Sequence, residues 1–305
     1  MSGSAYRSGF AALVGRPNAG KSTLTNALVG AKVAITSSKP QTTRHAVRGI
    51  RTDASTQLVL VDTPGLHRPR SLLGERLNDL VRETLLGVDV IGFCVPADQR
   101  PGPGDRYIAE DLQQLRRAKK VPVVAIATKA DAVTREHLAE HLMALDRLAD
   151  WTEIVPCSAV RGDQVDEVAQ VLSSYLPEGP AMYPPETISD EPQAVMIAEL
   201  VREAALEGVR DELPHSLAVV LEEMVERPDR PADDPMTDLR VNIFVERPSQ
   251  KAIVIGRGGS RLLAVGSTAR RGIEELIGHR VYLDLHVKVA KDWQRDPKQL
   301  QRLGF

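Results

Sequence analysis

Apolar and polar residues alternate along the first 175 residues in a pattern that predicts short strands followed by amphipathic helices. Strands are predicted near 9–15, 45–53, 56–62, 90–96, 121–127 and 153–157. Helices are predicted near 21–30, 75–86, 104–118, 133–149 and 163–174. This alternation is typical of a mainly parallel, doubly wound sheet covered on both faces, which binds ligands at the carboxyl ends of its strands. The first part of the chain is therefore predicted to be an α/β domain.

A second set of predicted elements begins after a proline-rich stretch. Five prolines fall within residues 175–192, and this composition indicates a semi-extended linker. Beyond it the pattern predicts a helix over 193–207, strands over 217–225, 239–245 and 252–255, a helix over 260–277 and a final strand over 281–289. We expect a first domain over 1–176, a linker over 177–192 and a smaller α+β domain over 193–305.

Composition narrows the class of protein. The chain has 305 residues, of which 42% are hydrophobic and 26% charged, so two domains can each bury a core. The two cysteines, Cys94 and Cys157, fall in predicted strands and indicate reduced core residues rather than a disulfide or a metal site. No stretch approaches the roughly 18 apolar residues that span a bilayer, and the first eight residues lack the apolar region of a signal peptide. We expect a cytoplasmic protein.

Charge is unevenly distributed in the second part of the chain. Residues 181–239 carry 4 Lys/Arg against 15 Asp/Glu, a net of −11, whereas residues 240–305 carry 13 against 6, a net of +7. The whole-chain value of −2 hides this division. A basic half fits a polyanionic partner, although charge alone favours solvated surfaces.

The most specific motif follows the first predicted strand. Residues 15–22 read GRPNAGKS and fit the phosphate-loop pattern GxxxxGK[ST] between a strand and a helix. In that setting backbone N–H groups and the helix dipole face a polyphosphate, Lys21 reaches the β/γ-phosphates, and the Ser22 hydroxyl ligates Mg²⁺. The loop residues expected to contact the nucleotide are Gly15, Arg16, Pro17, Asn18, Ala19, Gly20, Lys21, Ser22 and Thr23.

Two further segments occur in the order that a guanine-nucleotide switch requires. DTPG over 62–65 ends an apolar run, where Asp62 can hold Mg²⁺ through water and the Gly65 N–H can approach a γ-phosphate without an intervening side chain. QTTRH over 41–45 can offer a threonine hydroxyl to the metal, with Thr43 as the first choice and Thr42 as the second. The expected roles are catalytic for Lys21, Thr43 and Gly65, metal-binding for Ser22, Thr43 and Asp62, and nucleotide-binding for Thr42, Asp62, Thr63, Pro64, Gly65 and Leu66.

Base identity is predicted from TKAD over 128–131, which follows an apolar strand. Asp131 can accept hydrogen bonds from the two N–H donors on the edge of guanine, which adenine does not present, and each is worth about 1.5–3 kcal/mol. The stem of Lys129 would cover the base, and the segment 158–160 would supply a backbone N–H to guanine O6. The expected base-binding residues are Thr128, Lys129, Ala130, Asp131, Ser158, Ala159 and Val160.

Three residues bear on how tightly the nucleotide binds and how GTP is hydrolysed. Thr128 stands where such motifs usually have Asn, so weaker affinity without loss of guanine preference is expected. Leu66 stands where Ras-like enzymes have a water-orienting Gln, so either intrinsic hydrolysis is slow or another group positions the water. Asn18 is either a ligand for K⁺, as in potassium-stimulated relatives that this loop resembles, or an Asn that tolerates a tight turn.

A different motif lies in the basic half of the chain. The predicted strand 252–255 leads into Gly256-Arg257-Gly258-Gly259, which precedes an amphipathic helix. Such an IGxxG turn is typical of a KH domain, whose backbone amides close on a single-stranded nucleic acid, and the bases would lie in an apolar groove beside Ile255, Leu262 and Val265. The residues expected to contact RNA are Ile255, Gly256, Arg257, Gly258, Gly259, Arg261 and Leu262.

Together, GRPNAGKS, QTTRH, DTPG, the proline-rich linker and the KH turn resemble the bacterial GTPases of the Era family over nearly the whole chain. Residues 213–216 and the tail around Trp293 and 303–305 fit the same resemblance. It implies a P-loop GTPase domain followed by a KH domain, with GTP or GDP and Mg²⁺ as ligands. It also implies binding to the 3′ end of small-subunit ribosomal RNA, a role in assembly of the small ribosomal subunit and partial association with the inner membrane. We expect a monomer.

Two other functions are compatible with parts of this pattern. A membrane-peripheral signalling GTPase could carry a second domain that binds protein, but such a module has no need of amide-exposing glycines beside arginines. A GTPase of tRNA modification is disfavoured, because that family carries a different, helical C-terminal domain.

Overall fold

The computed structural model describes residues 5–39, 42–67, 69, 71–209, 213–231 and 233–305. The chain folds as two compact units. The first holds the residues up to 36, 43–69 and 74–190, and the second holds 37–42, 70–73 and 191–305. The hydrophobic clusters of the first unit are separate from that of the second, so each unit has its own core.

The first unit is a six-stranded sheet covered by helices. Its elements are β1 (Arg7–Val14), α1 (Lys21–Val29), β2 (Val47–Thr52), β3 (Thr56–Asp62), α2 (Leu72–Leu86), β4 (Val90–Pro96), α3 (Pro103–Lys119), β5 (Val123–Thr128), α4 (Arg135–Asp146), β6 (Glu153–Pro156) and α5 (Val165–Ser174). The strand order is β2-β3-β1-β4-β5-β6, and only the β2–β3 pair is antiparallel. The predicted mainly parallel, doubly wound sheet is confirmed.

The central strand β1 shows why both faces are covered. Ala11 and Leu13 belong to a core cluster with α1 and α5, whereas Ala12 and Val14 belong to a cluster with α2, α3 and α4. Successive side chains of a strand point to opposite faces, so an uninterrupted apolar run needs helices on both sides. This packing fixes the carboxyl ends of the parallel strands β3, β1, β4 and β5 at one edge of the sheet, where the predicted nucleotide motifs begin.

The predicted linker is bound to the first unit over most of its length. The Ser8 N–H donates to the Pro177 carbonyl at 3.1 Å, and the Ile50 N–H donates to the Ile188 carbonyl at 2.8 Å. Gln57 Oε1 accepts from the backbone N–H of Met182 at 2.7 Å. The segment contains bends, a turn and isolated bridges, and its backbone groups find partners along β1, β2 and β3 rather than in water.

The second unit is smaller and mixed in composition. Its elements are α6 (Gln193–Leu206), β7 (Ala218–Glu226), β8 (Met236–Val245), α7 (Pro248–Ile255), α8 (Ser260–Ile277), β9 (Arg280–Val289) and α9 (Pro297–Arg302). The sheet order is β7-β8-β9, with β7 antiparallel and β9 parallel to β8. The predicted α+β class is confirmed.

The predicted strand at 252–255 is wrong, because these residues form the second half of α7. Pro248 begins the helix, and Gln250 Oε1 accepts from the backbone N–H groups of Glu246 and Arg247, both at 2.9 Å. A proline and a capping acceptor at this point start a helix, and a four-residue apolar run cannot decide between the two structures. Within the run only Val254 is fully buried, as on one face of a helix.

Both cysteines lie in the core of the first unit, as predicted. Cys94 and Cys157 are free thiols with no exposed surface. Burial raises the pKa of the Cys157 thiol to about 12. Within the described ranges, no helix is both long enough and apolar enough to cross a membrane.

Candidate functional site

The phosphate loop forms a tight turn between β1 and α1. Asn18 and Gly20 have positive φ values of 63° and 86°. Lys21 Nζ donates to the Gly15 and Arg16 carbonyls, both at 3.2 Å, so the lysine lies at the centre of the loop. Burial lowers the pKa of Lys21, and the charge of Asp62 opposes that shift. Thr23 follows in the first turn of α1.

Three oxygen-bearing side chains meet beside the loop. Asp62 Oδ2 accepts from Ser22 Oγ at 2.7 Å and from Thr43 Oγ1 at 3.2 Å, and the two hydroxyl oxygens lie 2.9 Å apart. The other oxygen, Asp62 Oδ1, is buried and has no hydrogen-bond partner among the described residues. Burial raises the pKa of Asp62, while Lys21 and the two hydroxyls oppose the shift. Hydroxyl and carboxylate oxygens are the donors that Mg²⁺ prefers, so this set fits a magnesium ion.

The structure distinguishes the two candidate threonines. Thr43 is buried in the hydroxyl–carboxylate cluster. Thr42 Oγ1 instead donates to the Lys39 carbonyl at 2.7 Å. The first choice, Thr43, is therefore the threonine that lies beside Ser22 and Asp62, and its role as a metal ligand stays a prediction. Gln41 of the same motif lies outside the described residues.

The DTPG segment packs directly on the phosphate loop. A Cβ at Gly65 would lie 2.7 Å from the Pro17 nitrogen, so only glycine fits this approach. Thr63 Oγ1 donates to the Leu13 carbonyl at 2.8 Å, and Pro64 is buried. The Leu66 N–H donates to the Gly15 carbonyl at 3.1 Å, while its side chain is buried in the core cluster that contains α2, α3 and α4. The Leu66 backbone therefore joins the DTPG segment to the phosphate loop, and the Leu66 side chain packs in the core.

The segment 128–131, which is predicted to read the base, is tied to the phosphate loop. Thr128 Oγ1 donates to the Ala19 carbonyl at 2.6 Å. Lys129 adopts a φ of 57°, and its Nζ lies 3.0 Å from Asp98 Oδ2. The Ala130 N–H donates to the Cys157 carbonyl at 3.1 Å. The segment therefore joins the loops that follow β1, β4 and β6.

A serine orients the carboxylate that is expected to read the base. Ser158 Oγ donates to Asp131 Oδ1 at 2.6 Å and accepts from the Arg161 N–H at 3.1 Å. Ala159 is half-buried beneath this turn, and Val160 is 80% exposed. The arrangement presents an oriented carboxylate beside an apolar side chain, which suits the edge and face of a purine.

Sequence reasoning missed two acidic residues at this site. Asp98 pairs with Lys129, and Asp105 of α3 accepts from Arg16 Nε at 3.1 Å. Neither belongs to a recognisable motif, since each meets its partner through the fold, 31 and 89 residues away. The only signal was their position, because Asp98 follows the end of β4 and Asp105 lies in the first turn of α3.

The glycine turn of the second unit joins α7 to α8. Gly256, Gly258 and Gly259 have positive φ values of 74°, 59° and 80°. A Cβ at Gly258 or Gly259 would meet nothing within 4 Å, so this side of the turn is open. Arg257 is exposed at its tip. Ile255 and Leu262 flank the turn and pack partly against the core of the unit, whereas Val265 is buried within that core.

Arg261 has a structural partner that the motif did not reveal. Its Nη2 donates to the Ala205 carbonyl at 3.3 Å and to the Glu207 carbonyl at 2.6 Å, at the end of α6. A Cβ at Gly256 would lie 2.7 Å from Arg261 Cβ. The arginine thus attaches the start of α8 to the end of α6, and Arg257 is the exposed cation of the turn.

A groove lies beside the glycine turn, between α8 and β9. Its volume is about 460 Å³, and its walls include Gly259, Leu262, Leu263, Arg270, Tyr282 and Leu283. Leu263 and Tyr282 are both exposed. Aliphatic, aromatic and cationic groups beside an open turn suit unstacked bases with a phosphate backbone.

The fold and these two sites define a P-loop GTPase joined to a KH domain. The family model described as a 50S ribosome-binding GTPase matches residues 10–129, and the KH-domain model matches residues 212–294. GTPase Era of Streptomyces coelicolor is 64% identical over 305 residues, covering 98% of this chain and 95% of the relative. GTPase Era of Mycobacterium tuberculosis is 61% identical over 301 residues, covering 98% and 99%. The chain belongs to the family of the GTPase Era.

Solved structures agree along nearly the whole chain. The crystal structure of Era in complex with MgGDPNP and nucleotides 1506–1542 of 16S ribosomal RNA aligns with a TM-score of 0.92 at 35% identity, covering 98% of this chain and 99% of that one. An Aquifex aeolicus Era variant bound to GDP·AlF4⁻ aligns with a TM-score of 0.91, also at 35% identity and the same coverage. As a member of this family, the chain is a GTPase that uses GTP or GDP with Mg²⁺.

Proposed function

We propose that this chain is a GTP-hydrolysing switch whose KH domain binds the 3′ end of 16S ribosomal RNA during assembly of the small ribosomal subunit. One observation carries the proposal: a phosphate loop with a magnesium-type cluster and an open, basic glycine turn occur in one chain. A relative that aligns over 98% of this chain binds MgGDPNP and that RNA segment.

The phosphate end of the nucleotide is held by the first unit. Lys21 and the loop amides bind the β/γ-phosphates, and the Gly65 N–H binds the γ-phosphate. Ser22, Thr43 and Asp62 would hold Mg²⁺, which neutralises charge on the phosphates. The proposed contacts at this end are Gly15, Arg16, Pro17, Asn18, Ala19, Gly20, Lys21, Ser22, Thr23, Thr42, Asp62, Thr63, Pro64, Gly65 and Leu66.

Base recognition depends on an oriented carboxylate. Ser158 holds Asp131 with one hydrogen bond of 2.6 Å, so the carboxylate is positioned before guanine arrives. Lys129, held by Asp98, covers the face of the base. The proposed contacts at this end are Thr128, Lys129, Ala130, Asp131, Ser158, Ala159 and Val160.

RNA binding is assigned to the open side of the glycine turn and the adjacent groove. The backbone amides of the turn clamp phosphates, Arg257 adds charge, and Leu262 contacts a base. Arg261 contributes by holding the turn to α6, through the bonds to Ala205 and Glu207. The proposed contacts are Ile255, Gly256, Arg257, Gly258, Gly259, Arg261 and Leu262.

The proposal extends to the oligomeric state and the cellular location of the protein. We propose a cytoplasmic monomer that associates peripherally with the inner membrane, as the family resemblance implies. Sedimentation equilibrium tests the monomer. Co-flotation with vesicles of anionic phospholipid tests the membrane association, and recovery of all protein at the bottom of the gradient at low salt would contradict it.

The nucleotide assignment is tested with two variants. Lys21→Ala should abolish retention of GTP, because the charge facing the β/γ-phosphates is lost. Asp131→Asn should shift preference from guanosine to xanthosine nucleotides, because an amide complements the altered base edge. Equal GTP and XTP affinities in the parent and in Asp131→Asn would contradict the base-reading role.

The RNA assignment is tested with the double variant Arg257→Asp and Gly258→Asp. A Cβ at Gly258 meets nothing within 4 Å, but its φ of 59° is one that side chains rarely adopt, so Arg257→Asp alone is measured beside the double variant. Affinity for the 3′ segment of 16S RNA should fall by several kcal/mol, whereas GTP affinity should stay unchanged. Parent-like RNA affinity across a salt series would favour a second domain that binds protein.

A further inference from the structure

An ion pair between a partly buried arginine and a buried carboxylate connects the phosphate loop to α3. Arg16 Nε donates to Asp105 Oδ1 at 3.1 Å, and the Gly102 N–H donates to Asp105 Oδ2 at 2.8 Å. The Asp105 side chain is 1% exposed and that of Arg16 is 26% exposed. Both oxygens of a buried carboxylate are therefore used, one for the start of α3 and one for the loop.

Arg16 lies between two loop residues that contact Lys21 and the DTPG segment. On one side, the Gly15 carbonyl accepts from Lys21 Nζ at 3.2 Å and from the Leu66 N–H at 3.1 Å. On the other side, Pro17 is the residue against which Gly65 packs. A shift of the Arg16 backbone would move the contacts of both Lys21 and Gly65.

A contribution to folding stability does not by itself explain the ion pair between Arg16 and Asp105. Burying a carboxylate costs several kcal/mol, and a buried ion pair is often no more stabilising than apolar residues of similar volume. The positive end of the α3 dipole and the Gly102 N–H offset part of that cost, but an apolar side chain at this position would avoid it. What the pair adds is a fixed position for Arg16, because a guanidinium bound to an immobile carboxylate has little freedom.

We propose that Asp105 is a positioning residue for GTP hydrolysis, which acts through Arg16 to fix the phosphate loop against Gly65. The proposal rests on the GTPase activity of the chain and is independent of RNA binding. The amides at the start of α1 hold the β-phosphate whether or not the pair is present. The Gly65 N–H, in contrast, reaches the γ-phosphate only while the phosphate loop keeps its position against the DTPG segment.

The test is steady-state GTP hydrolysis by Asp105→Asn. The asparagine keeps an oxygen for the Gly102 N–H but loses the charge that holds Arg16. The value of kcat should fall about tenfold, the effect of one charged hydrogen bond, while KM for GTP and Kd for GDP change less than threefold. Asp111→Asn is the matched control, because it makes the same change six residues further along α3, and it should keep the parent kcat.

A second variant separates positioning from folding. Arg16→Gln alone and Arg16→Gln combined with Asp105→Asn should have the same kcat, because Asp105 acts through Arg16 and has nothing to position once the guanidinium is gone. A parent-like kcat in Asp105→Asn would overturn the proposal. So would a loss of kcat that is matched by equal losses of GDP affinity and Tm, since that pattern indicates a structural role. Absence of hydrolysis in the parent protein would instead contradict the GTPase function.

Discussion

At the scale of single residues, the departure of Thr128 from the usual asparagine has a structural explanation. Its hydroxyl donates to the Ala19 carbonyl at 2.6 Å, and both residues are buried. This hydrogen bond joins the segment 128–131 directly to the phosphate loop. The weaker nucleotide affinity expected from the sequence stays a prediction.

Removing that hydroxyl should weaken nucleotide binding without changing base preference. Thr128→Ala leaves the buried Ala19 carbonyl without its donor, which costs about 1–3 kcal/mol. We expect GDP affinity to fall about tenfold in a fluorescent-nucleotide titration, with guanine still preferred over adenine because Asp131 is untouched. Thr128→Ser keeps the hydroxyl and serves as the control. Parent-like affinity in Thr128→Ala would mean that the 2.6 Å bond does not hold the loop.

A second residue-scale prediction concerns K⁺. Asn18 adopts a φ of 63°, as the tight-turn interpretation requires, while Leu66 is buried and offers no polar group to water. A cation held by Asn18 would supply charge that the leucine cannot. Hydrolysis should be faster in potassium than in sodium at equal ionic strength, and Asn18→Ala should remove the difference. Identical rates in the two salts for the parent would leave Asn18 as a turn residue only.

At the scale of elements, the sequence predicted what depends on local pattern. Every strand and helix of the first unit appears within a few residues of its prediction, because long apolar runs alternate with amphipathic segments. The strand predicted for the short run 252–255 was wrong, because Pro248 and Gln250, which lie outside the run, start a helix there. The partners of Arg261 could not be predicted, since the two carbonyls lie 56 and 54 residues away.

The turn before α7 gives an element-scale prediction. Gln250 accepts from two backbone N–H groups, and its Nε2 donates to Ser216 Oγ at 3.1 Å, which joins the turn to the segment before β7. Gln250→Ala should lower the free energy of unfolding of the second unit by about 1–3 kcal/mol, because buried polar groups lose their partners.

Urea unfolding followed by Trp293 fluorescence measures the effect of Gln250→Ala. Trp151→Phe removes the only other tryptophan, and it is introduced into the parent and the variant alike. Gln250→Glu keeps the acceptor for the two N–H groups and should lose less stability than Gln250→Ala. Equal midpoints for the parent and Gln250→Ala would show that the turn does not need the side chain.

At the scale of the whole molecule, the pairing of two domains identifies the family better than either domain does. GxxG turns are common and phosphate loops occur in many enzymes, but their combination matches relatives over 98% of the chain. The sequence also predicted an extended linker, yet not that residues 177–190 would bind β1, β2 and β3. Those contacts use the backbone groups of the linker, which any sequence of suitable length can offer, and composition does not reveal them.

The division of charge leads to the last prediction. Residues 240–305 carry a net charge of +7 and include the exposed Arg257, whereas residues 181–239 carry −11. Each cation that binds a phosphate of single-stranded RNA releases a counterion, which changes the slope of log affinity against log salt by about 0.7. Arg257→Gln should therefore weaken RNA binding and make the slope shallower by about that amount. Arg117→Gln, an equal change of charge in the first unit, should leave the slope unchanged. An equal change of slope in both variants would mean that overall charge, and not a contact at the turn, governs binding.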